Sequence, residues 1–104
     1  MTLIKKNSYY LFEVKNKQDF SSLLAFLDAS QVTFNIIINF LDWDNSNIEV
    51  YKSLVPFHFI WKRANKSFIL VSNMKKKDNQ ELISINSLEE ALDYFHMEEL
   101  TRNI

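Results

Sequence analysis

The chain has no glycine, no cysteine and a single proline. Without glycine it can build no phosphate-cradling loop, no G-x-G-x-x-G dinucleotide fingerprint and no G-x-S-x-G nucleophile elbow. Without cysteine it has no disulfide, no thiolate nucleophile and no finger-type zinc site. Positions that need positive φ fall to the next most tolerant residue, and the chain carries eleven asparagines, many at element boundaries. Their expected role is backbone chemistry. A surplus of one charge is also missing. The net charge is −1, which removes the basic excess that nucleic-acid binding leads with. No run approaches the ~20 apolar residues that span a bilayer, and Met1 to Asn16 holds no apolar core of a signal peptide. The expectation is a soluble, cytoplasmic protein that binds neither membrane nor nucleic acid.

What the chain does have is apolar bulk. With 104 residues, 47% hydrophobic and 14% aromatic, it can bury the core of one domain, spanning residues 1–104, and is too apolar for disorder. The organising stretch is Thr33 to Asn47, TFNIIINFLDWDNSN. Phe34, Ile36, Ile38 and Phe40 alternate with Asn35, Ile37 and Asn39. That pattern predicts a central strand buried on one face and half-covered on the other. The acidic turn Asp42-Trp43-Asp44-Asn45 follows, and Ser46 with Glu49 forms a capping box for a helix.

The rest of the chain falls around that strand. Leu3–Lys6 and Tyr9–Val14 predict a hairpin turning at Asn7 and Ser8. Asn16 caps a helix over about 18–29, whose Phe20, Leu23, Leu24 and Leu27 form one face. After Ser46, Val50, Leu54, Phe57 and Trp61 predict a helix kinked at Pro56 and ending near Ala64-Asn65; the alternative is two short helices with Pro56 at the first position of the second. Ser67–Ser72 and Glu81–Ile85 predict two further strands, with a polar loop between them. Ser87 and Glu90 cap a last, acidic helix running to about Arg102. The order β-β-α-β-α-β-β-α is that of an α/β domain with a single mixed, largely parallel sheet, right-handed crossovers and covering helices.

Candidate chemistry is sparse. His58 and His96 are the only histidines, too few for a two-metal hydrolase, so no metal, cofactor or catalytic group is expected. Asp42 and Asp44 fit solvated acids near a helix start better than a carboxylate pair for catalysis. Trp43 between them either folds back on the sheet edge or anchors a partner. Lys62, Arg63 and Lys66, with Lys75, Lys76 and Lys77, could form a basic patch. Their plainer reading is a charged helix end and a solvated loop.

Two segments, RANKSFILVSN at Arg63 to Asn73 and ISINSLEEALDYFHMEELTR at Ile83 to Arg102, carry a family resemblance. With the order of elements, they make the chain similar to STAS domains (sulfate transporter and anti-sigma factor antagonist). It most resembles small bacterial STAS-like proteins encoded beside, and sometimes named after, ribonuclease Z. The resemblance implies a non-catalytic protein-interaction module, with an anti-sigma factor antagonist-type switch in which a partner serine kinase phosphorylates a serine at a helix start. Ser46 in Asp44-Asn45-Ser46-Asn47 is the nearest match, although Asn47 stands where the family has glycine and Asn45 where it has the first serine. A phosphate there would meet free N–H groups and recast a binding surface formed by Asp42, Trp43, Asp44, Asn45 and Asn47. As an N-cap, Ser46 has a complete structural role of its own. The alternative is a constitutive adaptor linked to RNA metabolism, named by association and lacking the nuclease. Either reading leaves room for a homodimer.

Overall fold

The computed structural model describes residues 3–43, 48–73 and 82–102. In chain order these form β1 (Leu3–Lys5), β2 (Tyr10–Glu13), α1 (Lys17–Ala29), β3 (Ile36–Asn39), α2 (Ile48–Lys52), α3 (Val55–Arg63), β4 (Phe68–Val71), β5 (Ile83–Ile85) and α4 (Leu88–Arg102). The five strands make one sheet in the order β1-β2-β3-β4-β5. β1 runs antiparallel to β2, with Ile4 opposite Leu11, and β2 through β5 are parallel. The expected α/β class and mixed, largely parallel sheet are what the chain adopts.

Strand alternation sorts the core into two layers. Phe12, Ile36, Ile38, Phe68 and Leu70 point to one face, where α1 lays down Leu23 and Leu27, α2 Val50 and Tyr51, and α3 Trp61. Leu11, Ile37, Ile69 and Val71 point to the other, which is closed by Ala91 and Phe95 of α4. Strands added successively in one direction by right-handed crossovers place their connecting helices on the same side. α4 follows the last strand, connects to nothing further, and takes the opposite side. The central strand is therefore covered on both faces, not half-covered on one. Ile36, Ile37 and Ile38 are all fully buried. The two asparagines flanking Ile37 suggested a wetter face, but Asn35 is itself buried.

The helix expected to kink at Pro56 is instead two helices. Proline has no N–H to bond the carbonyl four residues back, and its ring crowds that turn. The chain breaks at Ser53 and Leu54, where Leu54 N–H bonds Tyr51 O at 3.0 Å, and restarts with Pro56 in the first turn of α3. There the missing donor costs nothing. The other helix ends follow their residues. Asn16 Oδ1 accepts from Asp19 N at 2.8 Å, and Ser87 Oγ accepts from Glu90 N at 3.1 Å. The Ser46 cap lies outside the described residues.

Asparagine does stand in for glycine where α3 ends. Asn65 has φ 62. Its N–H bonds Lys62 O at 3.0 Å while Lys66 N–H bonds Trp61 O at 3.0 Å, the pattern of a Schellman cap with asparagine in the left-handed position. Asn65→Ala is expected to cost roughly 1 kcal/mol, about 4–8 °C in the melting temperature. Asn65→Gly is expected to stay within about 0.5 kcal/mol of wild type. Thermal unfolding followed by circular dichroism checks both, and an alanine variant as stable as wild type would show that the left-handed turn is not needed.

Candidate functional site

In open α/β sheets, ligands and partners meet the carboxyl ends of the parallel strands, and the loop after β3 lies at such an end. Asn39 Oδ1 accepts from Leu41 N at 2.9 Å, and Trp43 N–H bonds Phe40 O at 3.1 Å. These bonds fold residues 39–43 into a tight turn. Asp42 is exposed and Trp43 half-buried. The indole packs 5.6 Å from the ring of Phe20 and 6.3 Å from that of Phe40, and Phe40 meets Tyr51 of α2 edge-on at 5.7 Å. The sequence left Trp43 between an anchor and a residue folded onto the sheet. The structure places its ring on an aromatic platform and leaves part of it open. Asp44, Asn45, Ser46 and Asn47 lie outside the described residues.

A polar chain runs beside that platform. Ser72 and Ser84, following β4 and within β5, join hydroxyls at 2.6 Å. The Tyr51 phenol is pushed above its ordinary range by burial, and a hydrogen bond with Ser72 offsets part of the rise. This end of the sheet is therefore an aromatic floor with buried hydroxyls, an exposed aspartate and the half-open indole.

At the opposite end is a cleft of about 240 Å³. It lies where the starts of β4 and β5 come between the end of α3 and the second half of α4. Lys62 and Lys66 stand on one side, Tyr94 and Glu98 on the other, and Phe68 and Ile83 between them. His58 closes the back, buried, with its ring 6.1 Å from that of Phe68. The Asn65 turn carries the chain from Lys62 round to Lys66. Glu98 Oε1 accepts from Ser67 Oγ at 2.7 Å, and Ser67 Oγ accepts from Arg102 Nη2 at 2.8 Å. Burial raises the Tyr94 phenol above its usual range, and the Glu98 charge adds to the rise.

Sequence reading named Lys62 and Lys66 but grouped them with Arg63 and with Lys75, Lys76 and Lys77. Arg63 is exposed and does not line the cleft, and residues 75–77 lie outside the described residues. It missed Ser67, Tyr94 and Glu98. A usable signal was there, because Tyr94, Glu98 and Arg102 recur every four residues along α4 and form a polar row beside the buried Ala91 and Phe95. Of the two histidines, His96 is exposed. Among the described residues no group of His, Asp and Glu is arranged to hold a metal, and no helix is long and apolar enough to cross a membrane.

Fold and site together define a small α/β protein with one mixed five-stranded sheet, an aromatic-floored loop at one end and a lysine-lined cleft at the other. Compared with known protein families and with curated proteins, the chain matches none.

Proposed function

We propose that the chain is a non-catalytic, STAS-like protein-interaction module of the bacterial cytoplasm, and that it binds its partner through the loop from Leu41 to Asn47. The observation that carries this reading is the ordered sheet β1-β2-β3-β4-β5, whose central strand leads into Phe40–Trp43, where Phe40 and Trp43 pack with Phe20 and Tyr51. A packed aromatic floor beside Leu41 and Asp42 favours recognition, because less chain order is lost on binding. Leu41, 38% exposed, and the open part of Trp43 offer apolar contact beside the Asp42 charge. Lack of glycine and cysteine fits binding better than turnover.

Ser46 is the switch in this proposal, and an anti-sigma factor or serine kinase is the partner type. Phosphorylation adds a charge of about −2 beside Asp42 and Asp44, enough to repel a partner that accepts the unmodified loop. Capture from native lysate by wild type, Ser46→Ala and Ser46→Glu, scored by mass spectrometry, tests it. The glutamate form is expected to lose the captured protein at least about tenfold, a change of ~1.4 kcal/mol, while the alanine form retains it. Equal capture by all three forms removes the switch and leaves a constitutive adaptor. A chain that captures nothing in any form is not an interaction module.

A further inference from the structure

The cleft at the far end of the sheet takes no part in the proposed loop interface, and its charges are unevenly matched. Lys62 and Lys66 put two ammonium groups at its rim, and among the described residues neither is ion-paired. Glu98, across the cleft, forms no ion pair with either. One of its oxygens accepts from the Ser67 hydroxyl, which in turn accepts from the Arg102 guanidinium, so a third cation stands behind the acid. Phe68, Ile83 and the ring of Tyr94 supply the apolar part of its lining. Tyr94 is 38% exposed, and its raised phenol stays protonated as a hydrogen-bond donor.

We propose that this cleft binds a small organic anion. A carboxylate or phosphate-monoester group pairs with Lys62 and Lys66, and an apolar or aromatic body rests on Phe68, Ile83 and Tyr94. Size supports a small molecule. About 240 Å³ falls below the ~300–1,000 Å³ of sites for drug-sized ligands, which suits one ring with its anionic group. Carboxylate and phosphate make the same charge-assisted bonds to ammonium groups, so the lysines accept either, and the apolar part of the lining favours an organic body over a bare inorganic ion.

The test is an amide-resolved NMR titration of the full chain with phenyl phosphate, phenylacetate, benzyl alcohol, inorganic phosphate and a tetraglutamate peptide. Either phenyl anion is expected to produce saturable shifts at Lys66, Ser67, Phe68 and Ile83, and the tighter of the two identifies the head group. The Lys62→Gln/Lys66→Gln variant is expected to bind that anion at least about tenfold more weakly with an unchanged melting temperature. Should the double variant fold poorly, Lys62→Gln alone, at an exposed position, is expected to weaken binding about threefold or more. Absence of saturable shifts up to millimolar probe overturns the proposal. So does benzyl alcohol or inorganic phosphate binding as tightly as the phenyl anions, or affinity indifferent to the lysines. Tetraglutamate binding these amides more tightly than either phenyl anion replaces the small anion with an acidic peptide. Because the shifts are read at the opposite end of the sheet from the turn at Leu41–Trp43, the outcome stands apart from that of the loop experiment.

Discussion

Trp61→Ala is expected to remove about 3–5 kcal/mol, a large share of the ~5–15 kcal/mol that holds a domain together. Trp61 is 1% exposed and heads the fully buried side chains by size. Its ring meets Phe34 edge-on at 5.7 Å and Phe68 at 5.6 Å, and its Nε1–H donates to Phe34 O at 3.1 Å. Truncation therefore opens a cavity beneath α3 and leaves a carbonyl at the approach to β3 without its donor. Trp61→Phe separates the two effects. It keeps most of the ring and loses the N–H, so it is expected to cost about 1–2 kcal/mol. Urea unfolding followed by circular dichroism measures both, with Trp43 still present as a fluorescence reporter. Equal losses in the two variants would mean that the hydrogen bond, not the buried ring, docks α3. A loss below about 1 kcal/mol for alanine would mean that the site collapses around the gap.

Local chemistry made most of the fold legible. The parallel order follows from strands separated by helices, and α1 and α4 begin where Asn16 and Ser87 cap them. Pro56 was misread because a proline in a kink and a proline in a first turn share one hydrophobic pattern. Only the bonding of Leu54 to Tyr51 distinguishes them. Asn35 was misread for a different reason. Its partners are 27 and 32 residues away, and no local period records such a contact. The same holds for the cleft. Lys62 and Lys66 were visible as charges, but Tyr94 and Glu98 come from a helix on the other face of the sheet, and packing alone brings them together. At the loop, Asp42 and Trp43 were legible as residue types. Whether the indole packs or projects depended on Phe20, twenty-three residues before it in the chain and placed there by α1.

The second large loss is expected at Asn35, a polar side chain 7% exposed at the start of the central strand. Its Nδ2 donates to Ser8 O at 2.9 Å, in the turn between β1 and β2, and its Oδ1 accepts from Ser67 N at 2.8 Å, just before β4. Arg102 Nη1, in the last turn of α4, reaches the same Oδ1 at 3.4 Å. One amide thus serves three segments that share no secondary-structure bond at this point. Asn35→Leu fills similar volume and strands both backbone groups. At ~1–3 kcal/mol for each unsatisfied buried group, the expected cost is about 2–5 kcal/mol. Asn35→Asp sharpens the test. A carboxylate still accepts from Ser67 N–H and from Arg102 but offers no donor to Ser8 O, so the damage should fall on the β1–β2 turn. Hydrogen exchange reads the difference. The Ser67 amide is expected to lose protection in Asn35→Leu and keep it in Asn35→Asp, while amides in the middle of β3 and β4, held by Ile37, Ile38, Ile69 and Leu70, stay protected in both. If Ser67 exchanges equally slowly in both variants, the join between β4 and the end of α4 rests on Arg102 and Glu98 acting through the Ser67 hydroxyl, and the asparagine is needed only for the turn at Ser8.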